Sequence, residues 1–160
     1  MKVNLIIIII IIISLFMATA MSAQKGNIEL EPRVGYIHSD IPEYQSGFQV
    51  GARSSFGLSE RFSITPGLSF ASFGKMDKVY FLVPVYASYQ IPLQECRLHL
   101  NAGPYGQFGS DQDFGVSAEV SAEYKRWQLG AHYYQNLIGG ESYAPDRFAG
   151  LSVGYRFRVR

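Results

Sequence analysis

The sequence predicts an all-β protein, an eight-stranded antiparallel up-and-down transmembrane β-barrel preceded by a cleavable signal peptide. Three observations carry this expectation: a greasy N-terminal run behind one lysine, eight segments that alternate apolar and polar residues, and connections that are alternately long and short. The composition is consistent with it. Of 160 residues 48% are hydrophobic and only 17% charged, with 14 Lys+Arg against 13 Asp+Glu. Such a chain is too apolar to be disordered and too neutral to bind nucleic acid by phosphate neutralisation. A single Cys96 excludes an internal disulfide framework, a Cys-only zinc site and a CxxC redox pair.

The first element is the export signal, residues 1–23. Lys2 precedes an apolar stretch that includes eight consecutive isoleucines, Ile6 to Ile13, and small residues follow at Ala18, Ala20, Ser22 and Ala23. A charged, then greasy, then small-residue order is that of a secretory signal peptide. A spanning helix needs about 20 apolar residues, and Ser14 interrupts this run before it reaches that length. Cleavage is expected after Ala20 or after Ala23, and neither leaves a Cys to carry a lipid anchor. Loss of Lys2 brings the mature chain, the barrel domain of residues 24–160, to 13 basic and 13 acidic side chains.

The strands follow in order. Within residues 28–38, Ile28, Leu30, Pro32, Val34 and Tyr36 share one face, with Glu29, Glu31, Arg33 and Gly35 on the other. This period of two means a strand with one apolar face. The pattern recurs over 47–58, 61–73, 79–91, 96–108, 114–124, 127–137 and 148–159. In the last, Leu151, Val153, Tyr155, Phe157 and Val159 oppose Gly150, Ser152, Gly154, Arg156 and Arg158. No stretch after the signal shows a helical apolar stripe.

The connections are long at 39–46, 74–78, 109–113 and 138–147 and tight at 59–60, 92–95 and 125–126, so every long link falls at one end. Short periplasmic turns and long external loops are the asymmetry of an outer-membrane barrel. About ten residues at about 3.3 Å each, tilted by about 40°, cover roughly 25 Å of apolar thickness.

Which face points inward decides the solvent. An eight-stranded barrel has room inside only for side chains, so the face rich in Gly, Ser and paired charges is expected inside and the bulky apolar face against lipid. A secreted soluble barrel of the lipocalin type would have the reverse arrangement. Aromatic residues at strand ends suit two interfacial girdles: Tyr36, Tyr44, Phe73, Tyr80 and Phe108 toward the long loops, and Phe62, Tyr89, Tyr124, Trp127, Tyr155 and Phe157 toward the tight turns. Pro32, Pro66, Pro84 and Pro104 each remove a ladder donor, and bulges or strand ends are expected to absorb them.

These residues resemble a family. The export signal, the eight alternating segments, Val83-Pro84-Val85, Ala102-Gly103-Pro104-Tyr105 and the terminal Leu151-Ser152-Val153-Gly154-Tyr155-Arg156-Phe157 are similar to the small outer-membrane β-barrel proteins of the PorT-like group in Bacteroidetes. The resemblance runs from about Ile28 to the C-terminus and implies a fold and a location in the cell outer membrane, not one activity. The final strand also resembles the insertion signal read by barrel assembly machinery, through Ser152, Gly154, Phe157 and Val159. Members commonly stop at an aromatic residue, whereas here Arg158-Val159-Arg160 runs past Phe157.

Residues with chemical potential are few. His38, His99 and His132 lack metal-site spacing, so neither a metal nor a cofactor is expected. His132 with Ser121 or Ser117 is the one pair that a lipid-modifying enzyme, a lipid A deacylase or acyltransferase, would use, but no GxSxG elbow or positioned carboxylate accompanies it. The lumen face is expected to carry a structural charge network of Glu29, Glu31, Arg33, Arg53, Arg97, Glu119, Glu123 and Arg156, which a narrow interior tolerates only if paired. The external loops offer Asp40, Glu43, Tyr44, Glu141, Tyr143, Asp146 and Arg147 to a protein or glycan partner. The expected function is a small barrel with a filled lumen and a structural or loop-mediated interaction role; its expected partners are outer-membrane lipid, the assembly machinery and an extracellular or envelope protein.

Overall fold

A computed structural model describes residues 28–39, 46–74, 78–109, 112–138 and 145–159. The signal segment, Asp40, Glu43, Tyr44, Glu141 and Tyr143 lie outside the described residues. The strands are β1 (Ile28–Ser39), β2 (Ser46–Gly57), β3 (Phe62–Phe73), β4 (Lys78–Pro92), β5 (Cys96–Phe108), β6 (Gln112–Tyr124), β7 (Trp127–Ile138), β8 (Arg147–Tyr155) and a two-residue β9 (Phe157–Arg158). From β1 to β8 each strand pairs antiparallel with the next in sequence, and β1 pairs with both β2 and β8, so the sheet closes. β9 continues β8 past Arg156 and pairs with β1 at Glu29↔Arg158 and Leu30↔Phe157. The barrel therefore has eight staves, the last one broken.

The turns at one end are tight because local chemistry closes them. In the β2–β3 turn the Leu58 and Ser59 amides donate to the Phe62 carbonyl at 2.8 and 3.1 Å, and Ser59 Oγ accepts from the Phe62 amide at 3.1 Å. In the β6–β7 turn Tyr124 pairs directly with Trp127, and Lys125 takes the left-handed conformation (φ 58°) that so short a reversal needs.

The faces divide as the alternation predicts. Glu31, Gln49, Arg53, Thr65, Ser88, Asn101 and Glu119 are buried inside, while Val34, Phe48, Leu68, Phe81, Val116, Leu129 and Leu151 are exposed outside. A soluble ligand-binding barrel needs the opposite arrangement. The outer surface is instead one that hydrocarbon solvates, and closure leaves no unpaired sheet edge in it.

Two sequence expectations need correction. Phe73 and Tyr80 do not join the outer girdle; both are fully buried in the lumen. The prolines are absorbed neither by bulges nor by strand ends. Each sits mid-strand, and the ladder skips on one side of it while the other side stays paired. Between β1 and β8/β9 the register passes from Leu30↔Phe157 to Arg33↔Gly154, skipping Glu31 and Pro32, and this interruption is what breaks the last stave at Arg156. The other side of the stave stays bonded, the Arg156 amide donating to the Arg126 carbonyl at 2.8 Å in step with β7. Likewise β2–β3 skips at Pro66, β3–β4 at Pro84 and β4–β5 at Pro104. The register shift among the described residues lies elsewhere, between Phe114 and Gly115.

The outward face predicts an asymmetric response to charge. Val120, outward near the middle of β6, should tolerate arginine poorly. Val120→Arg is expected to destabilise the bilayer-inserted barrel by about 2–4 kcal/mol, measured by denaturant titration of refolding into vesicles.

Candidate functional site

The lumen is built in two storeys, and the sequence places each by strand phase. The half nearest the tight turns is ionic. Arg33 on β1 donates to Glu119 on β6 at 2.7 Å, and Arg53 on β2 donates to the other Glu119 oxygen at 2.8 Å. Arg53 also meets Glu31 at 3.0 Å, and Arg156 meets Glu31, Glu29 and Glu123 at 3.0, 3.1 and 2.9 Å. Further polar side chains complete the set: Asn101 donates to Glu119 at 3.2 Å, Gln128 accepts from Arg156 at 2.7 Å, His99 lies 2.8 Å from Glu123, and Arg33 donates to Ser152. The result is an alternating chain of charge, Arg33–Glu119–Arg53–Glu31–Arg156–Glu123.

The Arg53–Glu119 pair runs from β2 to β6, four staves apart in an eight-stave barrel, and so bridges opposite walls. Glycine makes room for these side chains. A Cβ on Gly154 would stand 2.6 Å from Glu31 Oε1, and one on Gly130 would stand 3.2 Å from an Arg33 guanidinium nitrogen and 3.3 Å from the Glu119 carboxyl carbon. One member expected in the lumen lies apart. Arg97 reaches Glu123 only at 3.9 Å and its side chain is 40% exposed, because it opens β5 at the mouth, where water solvates it.

The half nearest the long loops is aromatic. Ile37, Ala71, Phe73, Tyr80, Leu82, Tyr105, Tyr134 and Phe148 form a buried cluster. Tyr134 stacks on Phe148 at 4.6 Å, Phe148 meets Phe73 edge-on at 5.2 Å, and Tyr105 meets Tyr134 edge-on at 4.9 Å. Three buried phenols find partners, as such groups usually do: Tyr86 donates to Tyr134 across the lumen at 3.3 Å, and Tyr105 donates to Asn136. The composition of the lumen face as a whole hides this storey. Its signal lay in β4, where Tyr80, Leu82 and Tyr86 make the inward face as apolar as the outward one, the mark of a strand buried on both sides.

His132 is buried between the storeys, 5.5 Å from the Tyr134 ring, and its Nε2 hydrogen-bonds to neither Ser117 nor Ser121. Ser121 accepts from Gln128 and Ser117 donates to the Gly103 carbonyl at 3.4 Å, so both hydroxyls serve the lumen. His99 belongs to the ionic storey and His38 is exposed at the long-loop end of β1. In the final stave Ser152 and Gly154 face inward while Phe157 and Val159 face outward. Asp146, just before β8, and Arg147, its first residue, are exposed, and the Asp146 carbonyl accepts from the Asn136 amide at 2.7 Å.

No protein-family model matches the sequence, and no curated protein matches it. Solved structures do match the fold. Neisserial surface protein A is similar at TM-score 0.61 and 16% identity, over 83% of this chain and 96% of that one. The fold is that of the small outer-membrane barrels. The outer membrane protein OprG of Pseudomonas aeruginosa aligns at TM-score 0.55 and 9% identity over 84% of this chain and 97% of its own. The N-terminal β-barrel domain of OprF from the same organism aligns at 0.53 and 18%, over 83% of this chain and all of that one (100%). At such identities the likeness is one of architecture.

The two storeys predict different mutational signatures. Glu119→Ala strands Arg33 and Arg53 without their shared carboxylate and is expected to cost about 3–5 kcal/mol, whereas the double variant R53M/E119L, which removes charge in balance, costs less than the single. Tyr134→Ala leaves a cavity and is expected to cost about 3–5 kcal/mol. Denaturant unfolding in detergent micelles measures all three.

Proposed function

We propose that this chain is a small integral protein of the bacterial outer membrane, exported by its N-terminal segment, whose barrel is a solid scaffold and not a conduit. The observation that carries the reading is the apolar outer belt wrapped around a lumen filled from end to end: ionic side chains in one half, aromatic side chains in the other. Diffusion of hydrophilic solutes needs a continuous wet path, and Tyr134, Phe148 and Phe73 occupy the space such a path would cross.

Its role is then structural or lies in contacts made by the long connections, where residues 40–45 and 139–144 supply Asp40, Glu43, Tyr44, Glu141 and Tyr143 beside Asp146 and Arg147. The tight turns face the periplasm and the long connections the exterior. The resemblance to the PorT-like barrels supports a place in that group, and the outward Phe157 and Val159 at the end of the last stave support recognition by the barrel assembly machinery. Lipid-modifying catalysis has little geometric support, since His132 is enclosed within the barrel, away from any acyl chain, and engages no serine.

Two measurements test this reading. The protein should fractionate with the outer membrane and migrate as a heat-modifiable band, whereas recovery in the soluble fraction contradicts it. In planar bilayers the purified barrel should give no porin-sized steps, and Tyr134→Ala, which opens the aromatic storey, should not create them while the ionic storey stays intact.

A further inference from the structure

The rim at the tight turns carries more positive than negative charge. Among its described residues Arg61, Arg97, Lys125, Arg126 and Arg158 stand against Glu60 and Glu95. Arg97 and Arg158 lean on lumen carboxylates, Glu123 at 3.9 Å and Glu29 at 3.6 Å. Lys125 and Arg126 have no carboxylate within ion-pair distance among the described residues. Both are exposed and adjacent in one two-residue turn.

That turn is flanked by outward aromatic rings. Tyr124 and Trp127 are 50% and 59% exposed and directly paired across the turn. Trp127 meets Tyr155 at 5.1 Å, Tyr155 meets Phe157 at 4.8 Å, and the Lys125 ammonium lies 5.3 Å from the centre of the Tyr124 ring. An arc of amphipathic rings at the edge of an apolar belt belongs at headgroup level. Two unpaired cations beside it then lie where lipid phosphates lie, and each such charge attracts an anionic surface by roughly fivefold in affinity. A soluble anion would use the cations but not the rings. A phospholipid uses both, with its phosphate at Lys125 and Arg126 and its glycerol and upper acyl carbons against Trp127, Tyr155 and Phe157.

We propose that the Tyr124-Lys125-Arg126-Trp127 turn, with Tyr155 and Phe157, is a contact site selective for anionic phospholipid in the leaflet at the tight-turn end. The proposal rests on the membrane placement given above. The site fixes the depth of the barrel at that end and biases its local lipid composition.

Trp127 is the only tryptophan in the sequence, so its fluorescence reports this site without ambiguity. The test uses the protein purified from membranes and reconstituted into vesicles containing brominated phosphatidylglycerol or brominated phosphatidylcholine, which differ only in headgroup. Brominated phosphatidylglycerol is expected to quench Trp127 with a relative association constant about fivefold higher or more, a preference that high salt removes. The variant K125N/R126Q keeps the turn, since asparagine tolerates the positive φ of position 125, and should bring the ratio close to one. Equal quenching by the two lipids in the unaltered protein, or a preference that survives in the variant, overturns the proposal. Quenching by neither lipid overturns the membrane placement itself.

Discussion

Glu119 holds two arginines from two strands and lies across the barrel from one of them, so a single carboxylate ties β6 to β1 and β2. Much else in the structure follows from the constraint that this cluster satisfies. A barrel with hydrocarbon outside has nowhere but its lumen to put a charge, and an eight-stave lumen has no space to hydrate one. An ionic side chain placed inside therefore needs a partner, a charge of opposite sign above all. Glu29, Glu31, Glu119 and Glu123 do so with Arg33, Arg53 and Arg156, and glycines at 130 and 154 clear the space they need.

The same constraint explains why the interior changes character along its length. Pairing charges across a lumen demands many exact distances, whereas aromatic rings fill volume with tolerant edge-on and stacked contacts. The ionic storey sets which strands face one another, and the aromatic storey closes the other half. Between them the sheet carries four mid-strand prolines, each at the cost of ladder pairs on one side only. Beside Pro32 the skipped residue Glu31 points into the lumen, where the Arg156 guanidinium of the facing stave meets its carboxylate at 3.0 Å.

Strand number, strand limits and the sense of the two faces were legible in the sequence, because a period of two is unambiguous when one face is Val, Leu and Phe and the other Gly, Ser, Glu and Arg. The charged lumen set was legible for the same reason, strand phase alone placing Glu31, Arg53 and Glu119 inward. Which carboxylate meets which arginine was not, since that depends on register across non-adjacent staves. The aromatic storey was obscured because Tyr80 and Phe73 near strand ends read equally as girdle residues; only their phase, in step with Leu82 and Tyr86, points them inward. The fate of the prolines depends on which side of each strand loses its donor, and alternation of polarity carries no information about that. In the long connections the sequence shows only which polar and aromatic side chains are present, because alternation carries information only within a strand.

The central claim is that this chain is turned inside out, apolar face to lipid and polar face to a sealed lumen. It is tested most directly by spin labels placed one at a time along residues 116–122 of β6, in a background with Cys96→Ser, in protein reconstituted in bilayers. Collision with oxygen should peak at Val116, Ala118, Val120 and Ala122, and labels at Ser117 and Ser121, which leave the Glu119 ion pairs in place, should be shielded from oxygen and from aqueous nickel reagents alike. The opposite phase, or free access of the aqueous reagent to the inward positions, would contradict the account.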